Sequence, residues 1–120
     1  MKVLEKLMLK YEYIMELQKF KLWLEFKGKS KKTIQNRISN CKNVERYEGC
    51  LDKHYANDYG AIILYKLSYS AEDERNNLIP KHSVTINGKI RTGTATLKQA
   101  VKLYIDYKSD KNFEELVLHK

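Results

Sequence analysis

No glycine or proline precedes Gly28, and through that stretch apolar residues recur three and four positions apart. Val3, Leu4, Leu7, Met8, Tyr11, Ile14 and Met15 keep to one face of a helix. Phe20, Leu22, Trp23, Leu24 and Phe26 then crowd more than one face, which predicts deep burial. A helix from Lys2 to Phe26 would span ~38 Å, longer than the core of a small domain needs. Two arrangements satisfy this: a break near Leu17–Lys19, or one helix whose first half, residues 1–18, projects. Packing of the stripe Leu4, Leu7, Met8, Tyr11, Ile14 and Met15 on the chain's own core is the expectation. A projecting stripe would instead want a partner, such as a second copy in a homodimer.

The remaining sequence repeats the helical theme. Five Gly and one Pro in 120 residues leave little material for a turn-rich all-β fold. Ser30 suits the N-cap of a second helix, with Ile34, Ile38, Cys41, Val44 and Tyr47 on one side. The other side carries Lys31, Lys32, Gln35, Arg37, Lys42 and Arg46, and Gly49 ends the run. A third helix is expected within Asp52–Leu67, burying Tyr55, Tyr59, Ile62, Ile63 and Leu67. Ser70, followed by Glu72, Asp73 and Glu74, reads as a capped acidic first turn. The dipeptide Asn87-Gly88, flanked by Val84, Ile86 and Ile90, predicts a small β-hairpin over 84–90. A last helix opens at Gly93 or Thr94 and buries Leu97, Val101, Tyr104, Ile105 and Tyr107. The tail, residues 109–120, adds a short helix through Phe113, Leu116 and Val117. The expected fold is therefore a single, mainly all-α domain of four to five helices.

Charge divides the chain more sharply than hydropathy does. The net charge is +8, yet residues 1–18 balance three Lys against three Glu. Residues 19–42 hold eight Lys/Arg against Glu25 alone, and residues 81–109 hold six against Asp106 alone. The stretch between them is acidic. Such segregation favours a face that binds a polyanion over a uniformly solvated basic surface. Two cysteines exclude a disulfide scaffold. Lys or Glu interrupts every apolar run before it reaches the ~18 residues of a membrane span. The charged start, without a small-residue cleavage site, argues against secretion, so a cytoplasmic protein is expected.

Two helix starts echo each other. Ser30-Lys31-Lys32-Thr33-Ile34 follows the basic loop Lys27-Gly28-Lys29, and Gly93-Thr94-Ala95-Thr96-Leu97 follows Gly88-Lys89-Ile90-Arg91. The stretch from Phe20 through Trp23 to Ile34, with its Gly28-x-Ser30-x-x-Thr33 turn, resembles the opening of the core-binding domain of tyrosine recombinases, the phage-type integrases. Gly93 to Tyr104 resembles that domain's last helix. The resemblance covers residues 19–108. It implies a SAM-like bundle that closes over one side of duplex DNA, and a phage or mobile-element setting. It places Lys29, Lys31, Lys32 and Thr33, with Lys89, Arg91, Thr92, Thr94 and Lys98, toward DNA. The recombinase catalytic domain has no room in 120 residues, and Glu72 to Arg91 is a longer insertion than the family carries.

Elementary chemistry supports the same positions. Each Lys or Arg that neutralises a phosphate releases counterions. Thr33, Gln35, Asn36, Thr94 and Gln99 carry groups that hydrogen-bond phosphates or base edges. Other chemistry is thin: Cys41, Cys50 and His54 match no usual zinc spacing, and no phosphate-binding glycine loop or nucleophile elbow occurs. No catalytic residue, metal or cofactor is expected. The alternative to a DNA-binding module is a small inhibitor or adaptor whose basic face docks a nucleic-acid-binding protein.

Overall fold

A computed structural model describes residues 2–113, apart from the Met15 side chain. The fold is all-α: α1 (Lys2–Phe26), α2 (Lys31–Glu48), α3 (Leu51–Asp58), α4 (Ala61–Lys66), α5 (Ala71–Arg75) and α6 (Ile90–Ser109). No strand occurs among the described residues. The chain forms two compact units, one up to Ile38 and one from Ser39 on, with the boundary inside α2. No described helix is long and apolar enough to cross a membrane.

In the first unit α1 is one unbroken helix, so the break near Leu17–Lys19 does not occur. Its end shows why Gly28 is where it is. Gly28 donates to Glu25 O and Lys29 to Leu24 O, the paired bonds of a Schellman turn, with Gly28 at φ +78°. Phe20, Trp23, Leu24 and Ile34 are buried. Phe20 and Trp23 stack at 6.4 Å, and the Lys27 ammonium lies 5.5 Å from the Trp23 ring. Leu22 and Phe26 are exposed, so only one side of the aromatic cluster enters a core. Leu4, Leu7, Met8, Tyr11 and Ile14 are also exposed, against the expectation that this stripe packs on the chain's own core.

In the second unit α6 is the centre, packed by α3, α4 and α5. It buries Thr94, Leu97, Ala100, Val101, Tyr104 and Tyr107, spaced to keep one face inward. Leu51, Ile63 and Leu67 complete that core, with Cys41 and Val44 from α2. The Cys41 thiol donates to Ala100 O at 3.4 Å, and both cysteines are free. Tyr104 donates to Asp52 Oδ1 at 2.6 Å, and Lys108 pairs with the same oxygen at 3.4 Å, tying α6 to α3.

The expected third helix is two helices. Tyr59 and Gly60 both adopt left-handed backbone, at φ 56° and 80°, and turn the chain between α3 and α4. The turn carries Tyr59 and Ile62 to the surface while Ile63 and Leu67 stay buried. Ser70 caps α5 in a full capping box with Asp73. The hairpin expected over 84–90 is absent. Val84 N–H is spent on His82 Nδ1 at 3.1 Å, and Ser83 N–H, just before the expected hairpin, on Glu48 Oε2 at 2.6 Å. Ile90 belongs to α6, which starts a turn earlier than expected. Of the tail, Phe113 is buried; Leu116, Val117 and His119 lie outside the described residues.

Candidate nucleic-acid interface

The first cationic segment is built on the start of α2. Ser30 Oγ accepts the Thr33 N–H at 3.2 Å, and Ile34 N–H reaches Ser30 O at 2.9 Å. This cap starts a helix directly after the Gly28 turn, so Lys29, Lys31 and Lys32 all stand exposed around its first turn. Thr33 is half-buried, and its Oγ1 accepts from Ser30 at 3.0 Å. Gln35 and Asn36 are exposed one turn further on.

Helical spacing orders the polar residues of each part of α2. Successive residues turn by about 100°, which groups Lys31, Lys32, Gln35 and Asn36 on one side in the first unit and, separately, Ser39, Lys42 and Arg46 on one side in the second. All of these except Ser39 and Asn36 carry long polar side chains, and every one of them is exposed. The carboxylates of α2 are used elsewhere. Glu45 Oε2 accepts the Leu51 N–H at 3.0 Å. Glu48 Oε1 pairs with Lys66 at 3.1 Å, and its other oxygen takes Ser83. Burial pushes the Glu48 carboxyl up, but the Ser83 and Lys66 bonds outweigh it and hold the group below the usual carboxylate range. The exposed cations of α2 therefore have no carboxylate on their own helix to pair with. Arg37 does not belong with them, because its Nε is shut from solvent on the other side.

The second cationic segment is arranged differently from the sequence expectation. Lys89 is the N-cap of α6 and, with Arg91 and Thr92, is exposed at the helix start. Arg91 pairs with Glu74 at 3.6 Å; both side chains are about half exposed, and such a pair is weak. Lys98 is half-buried and donates to Ser68 Oγ at 2.8 Å. Thr94 departs furthest. It is 1 % exposed, with its hydroxyl turned inward to His82 Nε2 at 2.8 Å, so a phosphate cannot reach it.

His82 was not legible as a structural residue. Its ring is buried, with Nδ1 accepting from Val84, so the neutral ring carries its proton on Nε2 and donates to Thr94. Burial pushes its pKa below 6.5, and the Glu48 charge opposes this only in part. The residue anchors the loop before α6. Among the described residues no group of three His, Cys, Asp or Glu could hold a metal ion. Comparison with protein-family models, with curated proteins and with solved structures finds no match to this chain.

Proposed function

We propose that this chain is a non-enzymatic module that binds duplex DNA through the exposed start of α2, as the integrase core-binding domain it resembles would. One observation carries the reading: Lys31 and Lys32 stand exposed on the capped first turn of α2, in a run from Phe26 to Val44 that holds no carboxylate. Lys29 extends the cationic run into the preceding turn, and Gln35 and Asn36 supply neutral donors one turn further on. Phosphates are the natural complement, because each neutralised phosphate releases counterions and adds entropy. The amide donors position the chain on the backbone or touch base edges. Lys89, Arg91 and Thr92 form a second contact segment. Arg91 joins it by leaving Glu74, an exchange of one exposed ion pair for another that costs little. Thr94 and Lys98, with internal partners, serve the fold. The setting in a phage or other mobile element belongs to the same proposal, as does a cytoplasmic location.

The direct test is a titration of short duplexes of unrelated sequence with the full chain, read by fluorescence anisotropy at low and at physiological salt. The expected result is binding of similar strength to all of them, weakening steeply with salt. No binding at low salt would overturn the reading and put in its place an adaptor that docks an acidic, nucleic-acid-mimicking protein surface.

A further inference from the structure

The exposed stripe of α1 is a second surface, and its flanks say what covers it. Leu4, Leu7, Met8, Tyr11 and Ile14 are between 46 % and 63 % exposed in the single chain. Leu7, Met8 and Tyr11, with Glu12, line one shallow apolar hollow on the helix surface. Helices in water are held mainly by burial of such a face, so a stripe of this length outside any core calls for a partner. At about 100° per residue, the two borders of the stripe differ in sign. Glu12 and Glu5 fall along one border; Lys10 and Lys6 fall along the other.

We propose that this segment pairs with the same segment of a second copy of the chain, the two α1 helices running parallel and in register. The symmetry decides the orientation. A two-fold axis parallel to the helices sets the acidic border of each copy against the basic border of the other. An antiparallel pair would set acid against acid and base against base, which is unfavourable on both borders. The heights agree as well: Glu5 and Lys6 differ by one residue, ~1.5 Å along the axis, and Glu12 and Lys10 by ~3 Å. The apolar seam supplies the association, and the borders select partner and direction, as flanking charges do in coiled coils. The pairing is independent of DNA binding and stands or falls separately from it.

Sedimentation equilibrium of the full chain over a concentration series, without nucleic acid, tests it. The expected result is a monomer–dimer equilibrium reaching twice the 14.2 kDa chain mass. Leu7→Glu with Tyr11→Glu, at exposed positions that leave the cores intact, should keep the chain monomeric with an unchanged helical circular-dichroism spectrum. The double variants Glu5→Lys/Glu12→Lys and Lys6→Glu/Lys10→Glu should each dimerise less than wild type and should associate when mixed. Leu4→Cys should form a disulfide between positions 4 of the two copies, which only the parallel pair brings together. A wild-type monomer at every concentration overturns the proposal, and so does a dimer indifferent to the Leu7/Tyr11 variant. A dimer whose Leu4→Cys chains fail to cross-link overturns the parallel orientation.

Discussion

Two buried residues carry consequences that can be measured one side chain at a time. Gly60 sits at φ +80°, and a Cβ built there would come within 2.2 Å of Ile105 Cδ1. Gly60→Ala should therefore destabilise the fold by about 1–3 kcal/mol, from left-handed strain and overpacking together. Urea denaturation checks this, and an unchanged midpoint would contradict it. His82 makes stability depend on pH. Its pKa lies below 6.5 in the folded chain because burial disfavours the charged ring. Protonation also turns Nδ1 from an acceptor into a donor facing the Val84 N–H. The contribution is thus complete above pH ~6.5 and is lost as pH falls from there through the folded pKa. His82→Gln should flatten this limb of the wild-type stability curve; identical curves would refute the assignment. Neither residue announces itself in the sequence. A single glycine in a helical pattern leaves both a break and a close approach open. A lone histidine two positions after the chain's one proline reads correctly as loop, but its burial shows only once its partner, Thr94, is seen to lie inside.

At the scale of elements, local chemistry was legible where it needed only neighbours. Ser30 accepts the Thr33 N–H, Gly28 closes α1, and Ser70 makes its capping box. Ser30→Ala should accordingly cost about 1 kcal/mol of stability, with loss of helix signal from the start of α2. A denaturation midpoint equal to wild type would show the cap to be idle. Elements that depend on distant partners were not legible. Asn87-Gly88 bends the chain, with Gly88 at φ +93°. Yet Glu48, thirty-five positions before Ser83, ties down the segment that enters the bend, and Ile90, on the far side of the expected hairpin, belongs to α6. The N-terminal stripe shows the same limit. Its periodicity specified a helix face correctly, but periodicity says nothing about whether the surface covering that face belongs to the same chain.

For the molecule as a whole, the distribution of charge is the property that function draws on. The segregation of Lys and Arg into two segments was visible in the sequence, as was their position at helix starts. Which of those groups remain available was not, because that depends on internal partners: Glu74 for Arg91, Ser68 for Lys98 and His82 for Thr94. The exposed cations of α2 have no carboxylate on their own helix to pair with, since Glu45 accepts from the Leu51 N–H and Glu48 from the Lys66 ammonium and the Ser83 N–H. The measurement that bears on this most directly is the salt dependence of binding to a short duplex, for wild type and for Lys31→Ala/Lys32→Ala. A logarithmic plot of affinity against salt should be shallower in the variant by up to about two units, since each lost phosphate contact removes about 0.9. The loss should be alike on unrelated duplexes, while Lys53→Ala/Arg75→Ala, exposed but in the acidic middle of the chain, should leave the slope as it was. Equal slopes for wild type and the α2 variant, or equal losses from both variants, would contradict the account.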